Sequence, residues 1–197
     1  MLFKPMPSTL EVGKIRFLLL FVGVLLLSVV AFWPVLAATF QSSRLPLWDM
    51  AAHGHDGVRL AESLRQFDLV GFFIQVYGMS LWPPAFPILE TPFLLVFGDD
   101  YWVPRLVVGV LGILVVPLMV LIGKELDARW GIATGLLAAA ALLASPMHRL
   151  FSALIMLEVP GALLFLLAML MALRSMRTRS RTAVSYTHLT LPTILRV

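Results

Sequence analysis

The chain has 197 residues, of which 60% are hydrophobic and 13% charged, and its mean hydropathy is +0.94. A soluble domain carries roughly 25% charged residues, so water is not the solvent for most of this polypeptide. With no cysteine it can form neither a disulfide nor a thiolate metal site, and its net charge of +4 sits beside apolar runs instead of forming a basic stripe with stacking aromatics, which argues against a nucleic-acid partner.

In chain order, the first element is an unbroken Leu/Val/Phe run over residues 17–38, preceded by Lys4, Lys14 and Arg16. It is too long for the apolar core of a signal peptide and reads as an uncleaved membrane-spanning helix. A large loop, 41–105, follows. It opens on Trp48-Asp49-Met50, which puts an acid within a few residues of the membrane surface. In His53-Gly54-His55-Asp56, Gly54 and the short spacing give no fixed ligand face, so this run reads as a surface loop. From Gly57 to Phe67, Val58, Leu60, Ala61 and Leu64 share one side, as in a helix lying along the interface.

Trp82-Pro83-Pro84 leads into an apolar stretch ending at Phe97, but Pro83, Pro84, Pro87 and Pro92 interrupt helical hydrogen bonding and Glu90 is costly at mid-bilayer. That stretch reads as interfacial or re-entrant. Asp99-Asp100 reads as a solvated turn.

Three further spans are expected at 106–122, 132–144 and 159–173. A short loop carrying Lys124 and Arg129 joins the first two, and the loop 145–158, ending in Glu158, joins the last two. Arg174, Arg177, Arg179 and Arg181 follow the last span. Basic residues belong on the cytoplasmic side, which puts the N-terminus, the Lys124 loop and the Arg174 cluster inside and both acid-bearing loops outside. Glu158, just ahead of Pro160, falls where a helix N-terminus favours negative charge. Residues 184–197 match the translation of a sequencing adapter and are expected to be foreign, with the native frame running on past Ala183 as a longer protein.

The sequence therefore specifies an all-α polytopic membrane bundle of about four transmembrane helices, with interfacial helices in a large first outer loop. The order Trp48-Asp49, Trp82-Pro83-Pro84, Phe97-Gly98, Arg105-Leu106, Gly123-Lys124-Glu125-Leu126, Ser145-Pro146 and Leu157-Glu158-Val159-Pro160 resembles the GT-C glycosyltransferases, specifically the bacterial relatives of protein O-mannosyltransferases and aminoarabinose transferases. The resemblance implies inverting transfer of a sugar from a polyprenyl-phosphate donor to a protein, lipid or glycan acceptor, at the non-cytoplasmic face of the inner membrane. It makes Asp49 the general base and Glu158 the second acid, which organises acceptor or metal. A divalent metal ion is the one candidate cofactor, with Glu158 and His53 as candidate ligands. The family often has Glu beside the first-loop acid and a basic or His residue before the proline pair; this chain has Met50 and Trp82 there.

The chemistry is consistent with this independently of any family. A sugar on a lipid phosphate already carries its leaving group, so the protein has to deprotonate an acceptor, orient it and stabilise developing phosphate charge. Arg59, Arg105 and Arg149 are the candidate phosphate ligands on the outer side. The alternatives are a fragment of a polytopic transporter, with Glu158 and the proline-rich segment lining a pathway, and a non-catalytic membrane scaffold. The absence of acids within the spans and the size of the first loop weigh against a transporter.

Overall fold

The computed structural model describes residues 9–41, 46, 48–80 and 82–178, and every regular element among them is α-helical. Lys4, Arg179, Arg181 and the foreign tail expected from 184 lie outside the described residues. The helices are α1 (Thr9–Gln41), α2 (Asp49–Arg65), α3 (Leu69–Gly78), α4 (Ala85–Phe97), α5 (Trp102–Leu126), α6 (Gly131–Ala144), α7 (Pro146–Phe151) and α8 (Glu158–Thr178).

Three helices are long and apolar enough to cross a membrane: Gly13–Gln41 within α1, Trp102–Leu126, and Glu158–Arg177 within α8. Each extends beyond the apolar run that foretold it, because polar residues at either end continue the backbone ladder in the interface. The expected fourth span is the 14-residue α6. At 1.5 Å per residue it rises about 21 Å, short of the roughly 30 Å of hydrocarbon. The chain completes the distance with α7 and the segment to Glu158, which fold back along α5.

The axis of the bundle is α5, buried along almost its whole length. It touches α1, α6 and α8, and the contacts fix their directions. Glu125 at its C-terminal end pairs with Arg174 at 3.1 Å and Arg177 at 3.2 Å near the end of α8, so these helices run parallel. Lys124 lies over the Phe17 ring, 3.5 Å from its centroid, near the start of α1, while Phe40 at the end of α1 stacks near Trp102; α1 is therefore antiparallel to α5. Lys14, Arg16, Lys124, Arg129, Arg174 and Arg177 gather at one end of the bundle. Asp49, Arg105 and Glu158 lie at the other.

Glycine permits the close approach of α5 to its neighbours. A β-carbon on Gly135 of α6 would lie 2.7 Å from the Met119 carbonyl oxygen and 2.7 Å from the Val120 Cα, and one on Gly123 would run into the Gly131 carbonyl. Such small-residue seams hold helices together where lipid gives no hydrophobic incentive to associate. The same economy governs polar atoms within α1, where Ser28 and Thr39 hydroxyls donate to the carbonyls of Val24 (2.7 Å) and Val35 (3.0 Å) one turn back.

Within the first loop, α4 forms despite its prolines. Pro84 caps it and Pro87 lies in its first turn, where no intrahelical N–H bond is needed; only Pro92 is internal. Arg65 of α2 ties down its far end, donating to the Leu94 carbonyl at 2.8 Å and to Asp99 at 2.7 Å, so Asp99, expected as a solvated turn residue, is an ion-pair partner.

Gly135→Val should lower the unfolding free energy of the detergent-solubilised chain by about 2–3 kcal/mol through overpacking. The loss would be read from helical ellipticity during denaturation. Gly161→Val, where a β-carbon meets nothing, is the control and should leave the curve unmoved.

Candidate functional site

The site begins at a strained residue. Trp48 adopts φ 54° and ψ −127°, uncommon for a bulky side chain, and the chain turns there directly into α2. Asp49 is thereby the first residue of α2, as Glu158 is of α8. Both carboxylates sit where unpaired helix N–H groups favour negative charge, and both are exposed.

Their neighbours pack together. Met50, next to Asp49, and Leu157, next to Glu158, join one apolar cluster formed by Phe86, Val107, Val108, Leu111, Ile155 and Val159. α2 lies against this platform at Gly54, where a β-carbon would make ordinary contact, 3.7 Å from Ile155 Cδ1 and 3.8 Å from Pro104 Cγ. The cluster thus joins the start of α2 to the start of α8 through the first turns of α5.

His53 lies at the junction, 2% exposed, with its ring edge-on to Trp82 (centroids 5.1 Å) and to Phe86 (6.4 Å). Burial lowers its proton affinity, and the carboxylates of Asp49, Asp56 and Glu158 each oppose that fall. The net direction is downward, so the imidazole is neutral near pH 7. One buried ring senses acids contributed by two separate loops. The run His53-Gly54-His55-Asp56, expected as a surface loop, is instead the second turn of α2, and its His53 and Gly54 are buried. The apolar platform supplies the order that local spacing does not.

The expected cations are placed differently. Arg59 is exposed and lines a cleft of about 400 Å³ between α2 and α3, together with Ala52, Asp56, Gln75 and Trp82. Arg105 is buried at the start of α5, beside the Pro104 that meets Gly54. Arg149 donates from Nε (3.1 Å) and Nη2 (2.9 Å) to the Leu143 carbonyl and so secures the end of α6. His148 donates from Nε2 to the Gly112 carbonyl at 3.1 Å, holding α7 against α5. Among the described residues no group of three His, Asp or Glu side chains could hold a metal ion, so His53 and Glu158 are not joined by a third ligand there.

Glu90 is the residue that sequence reasoning undervalued. It is completely buried in the α2–α4 seam, its carboxyl against Gly57, where a β-carbon would collide with it. Neither oxygen closes a full hydrogen bond, although the Gly57 backbone N–H favours its ionised form. Burial pushes this carboxyl up to about 9, and Asp56 adds to the rise. Glu90 is therefore an uncharged acid. The signal was present in the sequence, as the single charged residue in an apolar run, but its partner Gly57 lies 33 residues earlier, and no local pattern links them.

A family model described as dolichyl-phosphate-mannose-protein mannosyltransferase matches residues 24–194, which is most of the chain. No curated protein and no solved structure matches it.

The buried acid gives stability a defined pH dependence. Between the ordinary carboxyl value of 4.5 and about 9, the folded chain holds one proton more at Glu90 than the unfolded chain. Stability is then greatest below that window, falls as pH rises through it by on the order of 1 kcal/mol per pH unit, and levels off above it. Glu90→Gln should flatten this slope in denaturation curves recorded from pH 5 to 9. An unchanged slope would mean that Glu90 is ionised when folded.

Proposed function

The chain belongs to the dolichyl-phosphate-mannose-protein mannosyltransferase family of membrane glycosyltransferases, and from that premise we propose that it carries the loop-bearing part of an enzyme that moves a sugar, with inversion, from a polyprenyl-phosphate donor to an acceptor at the non-cytoplasmic face. The observation that supports the proposal is that Met50 and Leu157, the chain neighbours of Asp49 and Glu158, pack on one apolar cluster whose Phe86 also meets the buried His53. In this reading the two exposed carboxylates share one site, with a neutral imidazole packed behind them.

In this reading Asp49 takes the proton from an acceptor hydroxyl as its oxygen forms a bond to the anomeric carbon. The bond from that carbon to the phosphate oxygen breaks on the opposite face, and the lipid phosphate leaves with the electron pair. Glu158 accepts a hydrogen bond from the acceptor and orients it. Among Arg59, Arg105 and Arg149, the position of Arg105 beside the α2 platform best supports a role in countering the phosphate charge. Arg59 lies ten residues along α2 from Asp49, about 15 Å of helix rise, and Arg149 secures the Leu143 carbonyl at the end of α6. The donor sugar is mannose in the family's own description. The acceptor is a protein in that description, and a lipid or glycan acceptor is the alternative.

Asp49→Asn, assayed in the full-length reading frame with polyprenyl-phosphate mannose, should reduce transfer by about 10²–10⁴-fold, the range of a lost general base. Glu158→Gln should cost less and raise the acceptor KM. Transfer at the wild-type rate by the Asp49 variant would remove the assignment, and is what a transporter or scaffold predicts.

Orientation has its own test, made simple by the absence of native cysteine. A cysteine at Glu62 should react with a membrane-impermeant maleimide in intact cells, and one at Arg129 only after lysis. The reverse pattern would put the acid-bearing loops in the cytoplasm.

A further inference from the structure

The seam between α2 and α4 holds polar atoms that the chemistry above leaves unused. The two helices run parallel and in one register: His53 meets Phe86, Gly57 meets Glu90, and Ala61 shares a cluster with Leu94, each pair 33 residues apart. Two residues of the seam are ionisable and both are shut away from solvent, His53 at 2% exposure and Glu90 at 0%. Nδ1 of His53 and both carboxyl oxygens of Glu90 close no full hydrogen bond within the protein. Buried polar groups are nearly always paired, so unpaired ones on neighbouring turns of one seam call for a common explanation.

Helix geometry sets how far apart these atoms are. The Glu90 carboxyl occupies the place where residue 57 would carry a β-carbon. Because Cα–Cβ bonds lean toward the helix N-terminus, that place lies on the His53 side of Gly57, and β-carbons four residues apart on a helix are about 5–6 Å from each other. The imidazole takes up part of this gap, and what remains is the span of one hydrogen bond or of one bridging water. The two groups are also chemically complementary. Burial, with Asp56 as a neighbour, keeps the Glu90 carboxyl protonated, so it has an O–H to donate. A neutral imidazole has one bare nitrogen, which accepts. The indole N–H of Trp82 is a second donor near that ring, edge-on with centroids 5.1 Å apart, and it too lacks a protein partner.

We propose that Glu90 is a positioning residue whose carboxyl O–H donates a hydrogen bond to Nδ1 of His53, directly or through one water, and so fixes the ring's own proton on Nε2. The tautomer of a histidine is set by the bond its other nitrogen makes. The Nε2–H then points away from Glu90, toward the turn where Asp49 begins α2, and holds the Asp49 carboxylate in one orientation for the acceptor proton. That effect on Asp49 rests on the reading of Asp49 as the base, whereas the bond between Glu90 and His53 does not.

The bond has a spectroscopic test. The chain has 4 histidines, so nitrogen NMR of the full chain labelled at histidine, in nanodiscs, reads them individually, with His53 assigned by the loss of its signals in His53→Gln. In the wild type near pH 7, Nδ1 should be the unprotonated, hydrogen-bonded nitrogen and Nε2 the protonated one. Glu90→Leu, which puts an apolar side chain in the seam, should move Nδ1 to the position of a free imidazole nitrogen. Glu90→Gln, whose amide still donates, should hold it in place. Transfer in the full-length reading frame should follow the same order, with kcat about ten-fold lower in Glu90→Leu at unchanged KM and largely restored in Glu90→Gln. A proton on Nδ1 in the wild type overturns the proposal without recourse to any variant at Glu90. An Nδ1 signal that ignores Glu90→Leu overturns it as well, and a response to Trp82→Phe in its place names the indole as the donor. Equal kcat in all three chains, with the bond present, overturns the positioning role. Wild-type transfer by Asp49→Asn removes the base and leaves the nitrogen signals as they are, so the two readings fail separately.

Discussion

The structure depends on how closely other backbone can approach α5. In water, burial of apolar side chains would drive its neighbours onto it, but lipid solvates leucine as well as protein does, and that incentive disappears. What remains is packing and polar satisfaction. At the cationic end, glycines on both sides of the α5–α6 hairpin bring backbone against backbone, and no side chain larger than hydrogen fits at Gly123, Gly131 or Gly135. Further along α5, Gly109 makes room for Leu36 of α1, and Gly112 for the Ser152 side chain after α7. Its hydroxyl stays bonded to the His148 carbonyl at 2.7 Å, so the contact adds no unsatisfied group.

That second approach gives the site its shape. Since α6 is too short to bring the chain to the level of Glu158, the segment after it must travel along α5 in the polar-intolerant part of the bundle. It does so as a capped turn of helix, with Ser145 accepting from the His148 N–H and Arg149 covering the Leu143 carbonyl. The route ends with Ile155 fully buried among Phe86, Val107 and Val108. Because of this path, Leu157 and Val159 on either side of Glu158 pack on the first turns of α5 in the cluster that Met50 of α2 also joins. The shortness of α6 and the meeting of the two loops are therefore one feature of the chain.

Hydropathy alone made most of this architecture legible. The runs at 17–38, 106–122 and 159–173 each mark the core of a long helix, because in lipid the backbone of an apolar run must satisfy its own hydrogen bonds and a helix is the available way to do so. Legibility fell where tertiary partners decide. α2 begins at Asp49, not Gly57, and α3 was not foreseen at all, since a ten-residue helix with no buried residue leaves no periodic stripe. α4 is too short to span, in keeping with an interfacial or re-entrant stretch, and it is helical because the position of a proline matters more than its number: at the cap and in the first turn it costs nothing. Asp49 and Glu158 stood out because an acid beside an apolar span is conspicuous. His53 did not, because its burial comes from Trp82 and Phe86, roughly thirty residues further on.

The charge balance of the site follows from these burials. Glu90 and His53 are the two titratable groups placed deepest in the first loop, and for both of them burial favours the neutral form. The charge they might have carried is absent, and the acids left at the surface, Asp49, Asp56 and Glu158, make the site negative. In the proposed reading, an anionic lipid phosphate approaching such a surface would be repelled, and an uncharged imidazole would offer nothing to offset that. Arg59 lines the same cleft as Asp56, and Arg105 is buried at the head of α5. In the proposed reading, a buried arginine at that turn, next to the proline on which α2 rests, would tie recognition of the leaving phosphate to the same helix that holds the fold together.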